Sequence, residues 1–145
     1  MRLGIVCGSF HRDEVQRMLE YARDEAESKN WDVSEVAWVP GSMEAPLALD
    51  RMLQKEDIDG AVVLGIIERG ETDHGLVMGQ SVTKAVIDLQ ITHNKPIGLG
   101  IIGPGAEPEH IEPRLEPHAR AAVGAVAAMI GCCLLYTSPS PRDRG

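Results

Sequence analysis

Four strand-like stretches recur along the chain, apolar runs at residues 3–7, 61–67 and 96–102 and a mixed one at 33–39, and each is followed by a stretch with helical spacing. No other feature narrows the fold so far. The third run, Ala61-Val62-Val63-Leu64-Gly65-Ile66-Ile67, has no polar side chain, as expected of a strand covered on both faces. Between the runs, residues 13–29 place Val15, Met18, Leu19, Ala22 and Ala26 on one helical face and charges on the other. A second helix is predicted from Pro46, a residue suited to a first turn, to about residue 55. Residues 74–93 carry Met78, Val82, Ala85, Val86 and Leu89 on one side, and residues 114–130 end the pattern as an Ala-rich helix.

Strands alternating with helices of this length pair in parallel through right-handed crossovers. The expected fold is α/β: a single-domain three-layer α/β/α sandwich on a four-stranded parallel sheet, in flavodoxin-like order. Such sheets bind ligands at the carboxyl ends of their strands. Those ends carry Gly8-Ser9-Phe10, residues 40–44, residues 68–74 and Gly103-Pro104-Gly105. Topology therefore gathers the Gly-rich and polar loops on one edge, which marks a site before any side chain is given a role.

Composition excludes several alternatives. A length of 145 residues suits one domain, and a 43% hydrophobic share is that of a soluble globular protein. The formal charge of −8 opposes a phosphate backbone, so nucleic acid is not an expected partner. Cys7, Cys132 and Cys133 are odd in number and lack C-x-x-C spacing, which suggests neither a disulfide framework nor a zinc site. No signal peptide and no run of ~18 apolar residues is evident, so a cytoplasmic location without membrane contact is expected. The absence of G-x-x-x-x-G-K-[ST] and G-x-G-x-x-G argues against nucleotide chemistry, and no cofactor or metal is expected. Residues 132–145, CCLLYTSPSPRDRG, break the pattern and resemble translated adapter sequence. They are expected to be a non-native or disordered tail beyond a domain at 1–131.

The loop at 68–74 is the richest in chemistry. Gly70-Glu71-Thr72 lies between a strand end and a helix start, where free N–H groups and the helix dipole attract an anion. Thr72 or Asp73 could cap that helix, and His74 in its first turn could move protons near neutral pH. A solvated His74 beside a plain cap is the alternative. Phe10, the one phenylalanine, is either an aromatic plate in a loop or core packing under the first helix. Glu44 and Arg114 each have a simpler reading as well, as a carboxylate favoured by a helix dipole and as a solvated helix charge. Cys7, ending a buried strand, reads as a small core residue.

Four ordered segments then resemble one family. Gly65-Ile66-Ile67-Glu68-Arg69-Gly70-Glu71-Thr72-Asp73-His74 is similar to the lumazine synthase signature G-x-[VI]-[IE]-x-G-x-T-x-H, without a gap. Val39-Pro40-Gly41-Ser42-Met43-Glu44-Ala45-Pro46-Leu47-Ala48 resembles its V-P-G-[SA]-x-E-[IL]-P-x-A segment. Ser9-Phe10-His11 stands where the family has a segment ending Phe-Asn, and residues 95–102 resemble K-P-V-x-x-G-[VI]-[LI]. The Gly-Pro-Gly that follows resembles the archaeal-type branch. The resemblance covers residues 3 to about 130 with the spacings kept.

The resemblance implies a cofactor-free condensation of 5-amino-6-(D-ribitylamino)uracil with 3,4-dihydroxy-2-butanone 4-phosphate, in riboflavin biosynthesis. It implies that Phe10 lies on the pyrimidinedione, Ser42 and Met43 meet it through backbone groups, and Glu44 binds the ribityl hydroxyls. Gly70, Glu71 and Thr72 would give N–H groups to the phosphate, His74 would shuttle protons, and Arg114 would clamp the phosphate. Leu99, where the family carries an aromatic residue, and Arg114 would come from the next subunit of a homopentamer or pentamer-based shell. The family's lysine on the last helix is missing, with Arg120 as its expected substitute and His118 as the other choice. The nearest rival, the archaeal-type riboflavin synthase, shares V-P-G but departs from the Gly-x-Thr-x-His loop. A non-catalytic flavin- or pteridine-binding shell protein is the third reading, motivated by His11, Leu99 and the missing lysine.

Overall fold

Side chains of a strand alternate between the two sheet faces, so strands without polar residues need a helical layer on each side. The computed structural model describes residues 1–132, and it has that arrangement. Strands β1 (Arg2–Gly8), β2 (Asp32–Val39), β3 (Gly60–Glu68) and β4 (Ile97–Ala106) form one parallel sheet in the order β2-β1-β3-β4. This is the expected flavodoxin-like order. Helices α1 (Arg12–Ser28) and α5 (Leu115–Gly131) cover one face, while α2 (Ala45–Leu53) and α3 (His74–His93) cover the other.

Each layer closes its own core. Leu3, Ile5, Leu64 and Ile102 meet Met18 and Val123 on the α1/α5 side. Val6, Val63 and Ile101 meet Leu49, Met52 and Val82 on the α2/α3 side. Each such side chain contributes about 1.5–3 kcal/mol by leaving water. The five apolar positions predicted for the first helix are its five buried residues. Helix α3 differs, because its far side is apolar too: Leu76, Val77, Ile87 and Ile91 stay exposed. Close approach of α5 to β4 depends on Gly98, where a Cβ would stand 2.0 Å from the Ala122 carbonyl oxygen.

Two boundaries depart from the sequence reading, and both lie near the site. Gly103-Pro104-Gly105, expected as a loop after the strand, is instead the second half of β4. A register shift between Ile66 and Glu68 lets Glu68 pair with Ala106, which carries β4 onward past its apolar part. Gly103 takes φ +103° there, within 2.0 Å of the Ile67 carbonyl for any Cβ, so the position admits glycine alone without strain. The chain then makes the short helix α4 (Pro108–Ile111), whose Glu107–His110 capping box was not anticipated. A 3-10 turn, Glu112–Arg114, precedes α5. Arg17 of α1 ties that turn to the first helix by two contacts to Glu112, at 2.9 and 2.5 Å, just ahead of Arg114 at the N-cap of α5. Of the expected tail, Cys132 is exposed and residues 133–145 lie outside the described residues.

Candidate active site

The first strand delivers Phe10 to the carboxyl rim. The Ser9 N–H donates to the Val39 carbonyl at 2.8 Å, which joins the ends of β1 and β2. Phe10 then turns outward and is 53% exposed, so it does not pack under α1. It lines two adjoining cavities. One, of about 230 Å³, is walled by Gly8, Gly41, Ser42, Gly65 and Met78 besides Phe10. The other, of about 250 Å³, is shared by Phe10 with Glu68, Thr72, His74 and Met78.

The third strand delivers the anion-type loop. Residues 69–74 are exposed, and the Thr72 hydroxyl accepts the His74 N–H at 3.2 Å. Asp73 occupies the N-cap position of α3 but makes no side-chain cap bond. Of the two capping candidates, Thr72 is thus the one that bonds the backbone. A third cavity, about 300 Å³, lies between this loop and Pro104-Gly105. A fourth of about 300 Å³ continues from Gly105 to His110, Arg114 and His118. Common lining residues set these cavities side by side along the rim as a trough, from Ser42 and Phe10 past His74 to Arg114 beyond Pro104-Gly105. Arg114 is exposed and donates one bond, to the His110 carbonyl at 3.0 Å, which leaves most of its fork open to an anion.

Some expected members stand elsewhere. Arg120 turns away from the rim: its guanidinium meets Glu116 at 2.8 Å, Asp24 at 2.9 Å and Glu25 at 3.2 Å, and lies 5.5 Å from the Tyr21 ring centre. Six residues advance a helix by about 240° relative to Arg114, whereas the four residues to His118 return to nearly the same side. His118 is accordingly the residue that shares Arg114's cavity, and Arg120 belongs to the α1/α5 contact. Leu99 lies mid-strand on β4, 40% exposed at the sheet edge, away from the rim of its own chain. Met43 and Glu44 are exposed on the 3-10 turn Ser42–Glu44, just outside the cavity that Ser42 lines.

One pair escaped the sequence reading. His11 Nε2 meets Glu68 Oε2 at 2.8 Å, joining residues 57 positions apart beside Phe10. A histidine replacing the family's asparagine was the available signal, but spacing could not supply its partner. Cys7 lies beneath the rim, fully buried, and desolvation pushes its thiol up to about 12, far from thiolate chemistry at neutral pH. Among the described residues no three His, Cys, Asp or Glu side chains are grouped to hold a metal ion.

A doubly wound sheet with an aromatic ring, an imidazole and an amide-rich helix start along one rim is the arrangement of an α/β enzyme. The family model described as 6,7-dimethyl-8-ribityllumazine synthase matches residues 1–135. Proteins of that name are similar to the chain along nearly all of it. The one from Picrophilus torridus is 39% identical over 130 residues, 90% of this chain and 95% of that protein. Those from Staphylothermus marinus and Metallosphaera sedula are 40% and 41% identical over 129 residues, 89% of this chain and 86% and 85% of theirs. The chain belongs to the 6,7-dimethyl-8-ribityllumazine synthase family.

Proposed function

We infer that this chain catalyses the 6,7-dimethyl-8-ribityllumazine synthase reaction, the condensation of 5-amino-6-(D-ribitylamino)uracil with 3,4-dihydroxy-2-butanone 4-phosphate. The observation that carries the reading is the single cavity lined by both Phe10 and His74, continuous with the Gly70–Thr72 loop. The primary amine of the pyrimidine attacks the ketone carbonyl, and an imine forms with loss of water. Inorganic phosphate is then eliminated. The ribityl-bearing nitrogen closes the second ring with loss of a further water. These steps need reactants held together and protons moved.

In this reading the Phe10 face carries the pyrimidinedione, with Ser42 and Met43 offering backbone groups and Glu44 the ribityl contacts. The amides of Gly70, Glu71 and Thr72 receive the phosphate at the α3 N-terminus. His74 relays the protons. Arg114 supplies the planar fork for phosphate, with His118 beside it in place of the family's lysine. The trough is open toward solvent, and a neighbouring copy completes it in a homopentamer or pentamer-based shell. Support for that assembly comes from the apolar side chains left exposed on α3, together with Leu99 on the edge strand. Leu99 and Arg114 of one copy then serve the neighbour's site, the Arg114 end of each trough meeting the His74 end of the next. A cytoplasmic location belongs to the same reading. No helix among the described residues is long and apolar enough to cross a membrane.

The test is a stopped assay with both substrates. Equal amounts of phosphate and of the yellow lumazine are expected. Riboflavin formed from lumazine alone would instead make the chain a riboflavin synthase. Heterocycle binding without phosphate release would make it a binding protein. Light scattering decides between a pentamer and a shell.

A further inference from the structure

Phe10 needs a support that the core does not supply. It is 53% exposed on the loop between β1 and α1, and its ring meets His11 edge-on, centroids 4.7 Å apart at 79°. His11 itself holds a left-handed backbone, φ 60° and ψ 51°, at the N-cap of α1. For a residue other than glycine that conformation is uncommon, histidine being among the side chains that adopt it more readily, and it persists where surrounding contacts favour it. The contact present is the 2.8 Å bond from His11 Nε2 to Glu68 Oε2, with side chains 25% and 41% exposed. His11 Nδ1 faces a second carboxylate, Glu14, at 4.0 Å.

Glu68 is a firm anchor. It ends β3, pairs with Ala106 of β4, and is followed by the Arg69 N–H donating to the Ala106 carbonyl at 2.8 Å. Its side chain lines the cavity that Phe10 and His74 share. An asparagine at position 11 would accept the left-handed backbone with little strain but ends short of Glu68, whereas the longer imidazole spans the gap.

We propose that His11 and Glu68 form a positioning pair, which ties the β1–α1 loop to the end of β3 and holds the Phe10 ring toward the cavity it shares with His74. The pair is not catalytic. It acts through Phe10 on the flat heterocycle, and this part of the inference rests on the function proposed above. Glu68 also borders the cavity of the Gly70–Thr72 loop, so the pyrimidine, which rests on Phe10, is the substrate that should feel the loss of the pair most.

The test uses the full-length protein and the variants Glu68→Ala, Glu68→Gln, His11→Asn and the His11→Asn/Glu68→Ala double. Glu68→Ala breaks the tie without leaving an unpaired carboxylate beside the phosphate loop, while Glu68→Gln keeps an acceptor for Nε2. Glu68→Ala and His11→Asn are each expected to raise KM for the pyrimidine about tenfold, a clearly larger change than either makes in KM for the ketone phosphate. Glu68→Gln restores most of the affinity, and the double variant is no worse than either single, as for two halves of one contact. An unchanged pyrimidine KM in Glu68→Ala, additive losses in the double, or equal losses for both substrates would overturn the proposal. Calorimetric binding of the pyrimidine alone separates this inference from the reaction. A wild type that binds it but releases no phosphate sinks the proposed function and leaves the pair to be judged from the Glu68→Ala affinity, equal affinity overturning it. No binding by the wild type overturns both.

Discussion

Replacing Gly103 by alanine tests how the second half of β4 is brought to the site. At φ +103° an alanine suffers backbone strain of about 1–3 kcal/mol whatever surrounds it. Its Cβ would also stand 2.0 Å from the Ile67 carbonyl oxygen. Against an ordinary C···O contact of ~3.3 Å, β3 and β4 must part by more than ~1 Å. Overpacking of that kind adds about 1–3 kcal/mol, for a combined loss of ~2–6 kcal/mol. Gly105 is the internal control. Its φ of +88° carries the same kind of strain, but a Cβ there meets nothing within 4 Å. For a domain of this size each kcal/mol moves Tm by about 3–5 °C, so Gly105→Ala should fall by ~3–15 °C. Gly103→Ala should fall clearly further or fail to fold. Thermal melts at matched protein concentration measure both, and phosphate release should drop in Gly103→Ala because Ile67 leads directly into the 68–74 loop. A Gly103→Ala protein that melts with Gly105→Ala, or above it, refutes the reasoning.

The other predictions concern single side chains. His74→Ala should lower kcat by about 100-fold with little change in either KM, while Arg114→Ala should raise KM for the ketone phosphate about 10- to 100-fold; steady-state kinetics checks both. Arg120→Ala should leave the phosphate KM unchanged, because its guanidinium is occupied by Glu116, Asp24 and Glu25; a selective rise in that KM would return it to the site. The His93 hydrogen bond holds the Asp50 carboxyl below its ordinary value of 3.8. Its folded pKa is depressed, so its contribution is complete above pH 3.8 and is lost as pH falls through the lowered value. The stability gap between wild type and Asp50→Asn, read by denaturant melts, should therefore narrow in that acid window. Cys7, with its thiol raised to about 12, should resist alkylation at pH 8 in the native protein and react once denaturant exposes it.

Much of the architecture was legible because it is periodic. Runs without polar residues, spaced by helical faces such as Val15, Met18, Leu19, Ala22 and Ala26, leave a parallel sandwich as the economical burial of both. The rim loops followed, since parallel topology sends all carboxyl ends one way. The site motif was legible too, as ten contiguous residues from Gly65 to His74. Local reading failed where a contact crosses the chain. The length of β4 depends on a register shift opposite Ile66, and no local propensity announces that Glu68 will pair with Ala106.

Sequence by itself determined the layers, the shared rim and the order of the loops on it, because hydrophobic period and chain direction are properties of consecutive residues. Tertiary structure decided which basic side chains reach the trough and which carboxylates they meet. Arg120 and His118 are two residues apart, yet helical geometry sends one to the carboxylates of α1 and the other to Arg114's cavity. His11 and Glu68 are 57 apart and meet at 2.8 Å. A side chain's partner is fixed by packing, which depends on the whole chain at once.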